Sequence, residues 1–160
     1  MFNRILVPLD GSRFGSRAVK YAREVANRFG AEIILLQVIQ PATPVPTTTG
    51  MMGTGSPTAA QITAQAALKE DKRNITRAKR YLGGKVRAIK LRDIKVSYKV
   101  LVGDPAQTII EFVQKEHVDL IVMTTHGKSG LKRVIMGSVA DAVIRESGKP
   151  VLTIKPELRH

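Results

Sequence analysis

The chain alternates short apolar runs with longer segments whose apolar residues recur every three to four positions. Arg4 to Leu9 is the first run, and Pro8, which has no N–H to give, belongs at its carboxyl end where pairing stops. A helix is predicted from about Arg13 to Phe29, with Ala18, Ala22, Val25, Ala26 and Phe29 as its buried stripe and Gly30 ending it. Ile33 to Ile39 is a second, nearly all-apolar run. Helical spacing returns between Ala59 and Leu82, at Leu68, Ile75, Ala78 and Leu82, with Gly83-Gly84 read as the stop. Ile94 to Val102 alternates as a strand. Asp104-Pro105 then starts a helix: aspartate caps, proline takes the first helical position and Gln107 completes a capping box. Ile109, Ile110 and Val113 form its core face, and His117 closes it as a partner for the helix dipole. Leu120 to Met123 is a fourth apolar run, and Val139, Ala140, Val143 and Ile144 share one face of a last helix. Gly148-Lys149-Pro150 stops that helix before a final run, Val151 to Ile154.

Strands and helices that alternate, with every strand apolar, predict an α/β three-layer sandwich: a five-stranded parallel sheet covered on both faces. At 160 residues the whole chain, 1–160, reads as one domain. The stretch of about 41–57, rich in proline, glycine and threonine, cannot pack as an element. It reads as a mobile loop at the carboxyl end of the second strand, either a lid over a site there or simply unstructured.

Composition adds three constraints. Hydrophobic residues are 43% of the chain and aromatics only 4%, so the core is aliphatic. Cysteine is absent, which removes disulfides and thiolate metal sites. No apolar run approaches the roughly 18 residues of a membrane span, and Phe2 to Leu9 is too short for a signal peptide, so a soluble cytoplasmic protein is expected. The net charge is +13, and much of the excess falls between Lys69 and Arg92. Such a field attracts nucleic acid, anionic membrane or acidic partners. With only Tyr81 nearby for base stacking, the segment reads as a solvated helix face, which weighs against a nucleic-acid partner but leaves it open.

Candidate chemistry sits just beyond the strands. In open parallel sheets ligands bind at the carboxyl ends of strands, and Asp10-Gly11-Ser12 follows the first strand there. Thr124-Thr125-His126-Gly127 follows the fourth, with Gly137-Ser138 ten residues beyond Gly127 at the start of the last helix. A helix N-terminus offers unpaired N–H groups and partial positive charge to a phosphate, and a glycine lets a ligand approach the backbone. Ser138 has two roles open to it, capping the helix with Asp141 three residues on, or giving its hydroxyl to a phosphate. On spacing alone, Gly127, Gly137 and Ser138 are equally well read as ordinary turn and cap residues. Gly127-Lys128-Ser129 is not a Walker A loop, since Val122 stands where that motif needs its first glycine, and no G-x-G-x-x-G follows the first strand.

The run from Met123 to Pro156 and the N-terminal ILVPLDGS together resemble the universal stress protein family. Its C-terminal signature is G-x-x-G, nine residues, then G-S or G-T; Gly127, Lys128 to Met136 and Gly137-Ser138 match it, while Thr124 stands in place of the first glycine. The likeness covers essentially the whole chain and implies the strand order 3-2-1-4-5, which opens Asp10 and the Thr124 to Ser138 loop onto one crevice. It implies ATP, with or without Mg²⁺, in that crevice. By the resemblance Pro8 and Asp10 contact the nucleoside, the Val38 backbone meets the adenine, and Met123, Gly127, Gly137, Ser138 and Val139, with Thr124 at the departing position, wrap the ribose and phosphates. Lys128 with Lys132 or Arg133 would add charge to the phosphates, and His126 has no paired nucleophile to serve as a catalyst. The S-G-G-x-D-S and H-I-G-H elements of adenylating enzymes are absent. A binding module with slow hydrolysis at most is therefore expected, with a dimeric protein of the same fold that binds no nucleotide as the alternative. The family's dimers also imply a homodimer through the final strand, 151–154.

Overall fold

A computed structural model gives the arrangement of residues 1–42, 57–90, 94–125 and 136–155. The five apolar runs are strands: β1 (Arg4–Pro8), β2 (Glu32–Ile39), β3 (Val96–Val102), β4 (Leu120–Thr124) and β5 (Val151–Ile154). They form one parallel sheet in the order β3-β2-β1-β4-β5. The register sets Ile5 beside Ile33 on one side and Leu120 on the other, so β1 is central. Helices α1 (Arg17–Phe29) and α2 (Pro57–Lys90) cover one face, α3 (Pro105–Lys115) and α4 (Ser138–Glu146) the other.

Strand alternation divides the core in two. Ile5, Val7, Ile33, Leu35 and Val122 point to the α1/α2 side; Leu6, Ile34, Leu36, Ile121 and Met123 point to the α3/α4 side. Because both faces are covered, the central strands β1 and β4 are almost wholly apolar, while the edge strand β3 carries exposed Ser97 and Lys99. No helix among the described residues is long and apolar enough to cross a membrane.

Three helix ends follow the sequence, with changes of detail. Gly30 takes the left-handed position after α1 at φ 65°, and Gly148 does the same after α4 at φ 63°. His117 fills that role after α3 at φ 50°, with Val118 N–H donating to the Val113 carbonyl at 3.2 Å. It therefore ends the helix through its backbone. Asp104 caps α3 by accepting from Gln107 N–H at 3.0 Å, but the Gln107 side chain turns along the helix to Glu111, 3.0 Å away, and the capping box is left half made. At α1 the helix begins at Arg17, four residues later than expected, and Phe29 is 47% exposed, resting edge-on against Phe2.

The largest correction is α2. Gly83-Gly84 does not stop it; the helix runs 34 residues, to Lys90. The physical reason is the continuation of its buried stripe past the glycines. Ala78 and Leu82 before them, and Ile89 after them, are all buried, with Val86 packed alongside. Burying an aliphatic side chain stabilises by roughly 1.5–3 kcal/mol, more than the cost of about 1 kcal/mol for each mid-helix glycine.

Candidate functional site

The strand order reverses at β1, between β2 and β4, and a cleft of about 860 Å³ opens at the carboxyl ends of these strands. Eight of the nine residues singled out in the sequence line it: Pro8, Asp10, Val38, Met123, Thr124, Gly137, Ser138 and Val139. The ninth, Gly127, lies outside the described residues, as do His126, Lys128, Lys132 and Arg133 and residues 43–56 of the stretch of about 41–57 read as a loop, whose last residue, Pro57, begins α2.

Asp10 is held from its own turn. Its Oδ1 accepts from Ser12 N–H at 2.9 Å, and Ser12 Oγ in turn accepts from Gly15 N–H at 2.8 Å. A Cβ on Gly15 would lie 2.6 Å from Asp10 Oδ1, so only glycine leaves the carboxylate this position. The other oxygen, Oδ2, is buried and has no hydrogen-bond partner among the described residues.

Two strand-end neighbours of opposite orientation frame the cleft. Val38 packs toward the α3/α4 face with Ile109 and Met123, giving an apolar lobe. Gln37, one residue earlier, points to the α1/α2 face. Gln37 is only 7% exposed, its Nε2 would be 3.2 Å from a Cβ on Gly11, and its Oε1 is a second buried acceptor without a partner among the described residues.

The α2 helix supplies a wall that sequence reading missed: Asn74, Ala78 and Tyr81 line the cleft, with exposed Arg77 among them. Their spacing is helical, but Asn74 and Tyr81 carry polar atoms and did not register as part of an apolar stripe. The Tyr81 hydroxyl is hydrogen-bonded to Ser16 Oγ at 2.9 Å, joining α2 to the turn that holds Asp10. Burial pushes the Tyr81 hydroxyl above its ordinary pKa and the nearby Asp10 charge adds to this, while the bond to Ser16 opposes it. The signal for Gln37 was its place as the one uncharged polar residue in the β2 run EIILLQVI.

The fourth side is the start of α4. Gly137 is its N-cap, in extended conformation, and its N–H donates to the Thr125 carbonyl at 2.7 Å. Ser138 is thus the first helical residue and not the cap, and its side chain makes no capping bond. The Gly137 carbonyl accepts from Asp141 N–H at 2.9 Å, so the N–H groups of Ser138, Val139 and Ala140 have no acceptor within the helix. Asp141 pairs with Arg145 at 2.9 Å and takes no part in the cap. The cleft therefore carries unpaired acceptors at one end and helix N–H donors at the other.

A model of the universal stress protein family matches residues 1–155. The chain belongs to that family. Universal stress protein MJ0531 of Methanocaldococcus jannaschii is 32% identical over 155 residues, covering 97% of this chain and 83% of that one. The solved structure of MJ0577, a second universal stress protein of the same organism, superposes with a TM-score of 0.80 at 27% identity, covering 99% of both chains. An Arabidopsis thaliana protein of the family, solved with AMP bound, shares the fold at a TM-score of 0.58 and 18% identity. Family and strand order thus agree with what ILVPLDGS and the Gly127–Ser138 spacing implied.

Proposed function

We propose that this chain is an adenine-nucleotide-binding module, with ATP as its ligand, and that the bound nucleotide stabilises one conformation for a partner to recognise. The observation behind this reading is the polarity of the cleft: apolar lobe, buried carboxylate and helix N-terminus lie in one continuous space. Adenine fits the lobe of Val38, Ile109 and Met123, beside the Val38 backbone. The ribose falls near Asp10, whose free oxygen accepts a hydroxyl. The phosphates reach Gly137, Ser138 and Val139, where N–H groups and the helix dipole favour negative charge. That a relative of this fold has been solved with AMP bound supports the choice of an adenine nucleotide.

Asp10 is the single carboxylate lining the cleft among the described residues. With Asp10 given to the ribose, a Mg²⁺ ion arriving with the phosphates would take its ligands from them and from water, with no other cleft carboxylate among the described residues to hold it. Phosphoryl transfer demands more, namely a group that orients the nucleophile as well as the metal, and the reading is of a regulatory binder with slow hydrolysis at most. Titration calorimetry with ATP tests it: one site per chain, weakened at least tenfold, about 1.4 kcal/mol, by Gly137→Val or Asp10→Ala. A folded protein giving no heat at millimolar ATP would leave the non-binding alternative.

The homodimer belongs to the same proposal. β5 is an edge strand, its Leu152 is 37% exposed, and an apolar edge invites pairing with a second copy about a two-fold axis. Light scattering should give twice the chain mass, reduced in Thr153→Pro, which removes one backbone donor.

A further inference from the structure

The glycines that fail to end α2 also lack a packing reason to be there. A Cβ on Gly83 would meet nothing within 4 Å, and one on Gly84 would meet only the tip of Arg87, at 4.0 Å. Both point away from the sheet. Gly83 and Gly84 interrupt a ridge of charge: Lys69, Arg73, Arg80 and Arg87 lie on one helical face, flanked by Lys72 and Lys79, and all six are exposed. Residues 72–90 contain no aspartate or glutamate, and none of these six makes an ion pair among the described residues.

We propose that the outer ridge of α2 is a docking surface for double-helical nucleic acid, whose phosphodiester backbone lies along the basic side chains and meets the helix backbone at the Gly83-Gly84 gap. Had the helix ended at Leu82, the charges would have been divided between a helix and a loop. As one rod, the stretch from Lys69 to Lys90 is roughly 30 Å long, close to the length of about 34 Å of one duplex turn. Four of the eight cations from Lys72 to Lys90 are arginines, whose planar fork pairs with phosphate in two places. Arg80, Gly83, Gly84 and Arg87 alternate cation with bare backbone, which suits close approach of a phosphate. The face offers no aromatic side chain for stacking unpaired bases, which favours a duplex over a single strand. Apart from Ala88 its side chains are polar from Lys69 to Lys90, because the apolar stripe is spent on the sheet, so a bilayer would find nothing to take into its interior. The proposal is independent of nucleotide binding, since neither Arg80 nor Arg87 lines the cleft.

Fluorescence anisotropy with a labelled 24-base-pair DNA duplex, with a duplex RNA of the same sequence, and with phosphatidylserine/phosphatidylcholine vesicles tests this over a salt series. Either duplex should bind at low salt without sequence preference. The log–log salt slope should be about −4 to −5, as expected for five or so phosphates neutralised. Arg80→Gln with Arg87→Gln should flatten the slope by about 2 and leave Tm unchanged. Gly83→Ala with Gly84→Ala should act in opposite directions on two readouts: Tm rises by about 2–4 °C per substitution, while duplex affinity falls several-fold. Glycines of purely local significance would raise Tm and leave affinity alone, and that result overturns the proposal. So does binding to vesicles without binding to either duplex, or a duplex complex that the arginine pair does not weaken.

Discussion

The two ends of the sheet treat their charged groups in opposite ways. At the amino end, Asp119 accepts from the N–H groups of Asn3 at 2.9 Å and Arg4 at 3.0 Å. Glu32 there is paired with Arg4 and with Lys95, the latter at 2.9 Å. At the carboxyl end, Asp10 Oδ2 and Gln37 Oε1 are buried without partners among the described residues. An unsatisfied buried acceptor costs about 1–3 kcal/mol, and this end carries two of them beside a helix N-terminus. Under the proposed function, the difference separates work done for the fold from work left for a ligand. Carboxylates at the amino end join strand beginnings that are far apart in sequence, and the acceptors at the carboxyl end face the cleft without a protein partner among the described residues.

The sharpest way to break this contrast is to damage each end separately. Gly15→Val drives a side chain into the Asp10 carboxylate, where even a Cβ is 2.6 Å from Oδ1. ATP affinity should fall about a hundredfold, roughly 2.7 kcal/mol. Asp119→Ala should leave that affinity unchanged. It should lower stability by about 1 kcal/mol, discounted because the carboxylate is open to solvent, and Tm by about 2–4 °C. Calorimetric titration and thermal melts on both variants decide the matter, and a Gly15→Val protein that binds ATP like its parent would sink the assignment of Asp10.

The amino end should also make stability depend on pH. The backbone N–H groups of Asn3 and Arg4 hold the Asp119 carboxyl below its usual range. Lys95 does the same for Glu32, against the opposing effect of burial and with further help from Arg4. Both groups are depressed on folding, so their stabilisation is fully present above the unfolded values near pH 4 and is lost as pH falls through the folded ones. Melts between pH 6 and 3 should show Tm dropping below about pH 4, with a shallower fall in Asp119→Ala. Parallel curves for the two proteins would show that this pairing does not link folding to pH.

The same contrast explains how much was legible in the sequence. The central strands could be read because burial on both faces leaves a nearly unbroken apolar run, and β3 because its apolar residues alternate. Asp10, Val38 and Gly137 could be placed because strand ends and helix starts are local features, and the family likeness joined them. Gly83-Gly84 misled because a local stop signal lost to burial of Leu82 and Ile89 on either side of it. Gln107 and Ser138 misled because a capping pattern states which bonds are open to a side chain, and neighbours such as Glu111 decide which one forms. Tyr81 and Asn74 were missed for a different reason. The contact of Tyr81 with Ser16 spans 65 residues, and no periodicity within α2 announces it.

The smallest expected effect is the most discriminating, because it asks whether Gln37 serves the fold at all. A polar group kept for structure is paired, and replacing it destabilises. A polar group kept for a ligand is tolerated at a cost, and replacing it by an apolar side chain of similar size is neutral or stabilising. Gln37 is 7% exposed, Val100 lies opposite it on β3, and its Oε1 is unpartnered among the described residues. Gln37→Leu removes that acceptor while keeping most of the volume against the strand. Stability should rise by about 0.5–1 kcal/mol, after the imperfect fit of the branched side chain offsets part of the gain. Tm should rise by about 1–4 °C. ATP binding should weaken about threefold, since one acceptor among several contacts is lost and the apolar lobe and helix N-terminus are untouched. A Gln37→Leu protein that melts several degrees below the parent would place Gln37 with Asp119 and Glu32 among groups that hold the sheet together, and the contrast between the two ends would then rest on Asp10 alone.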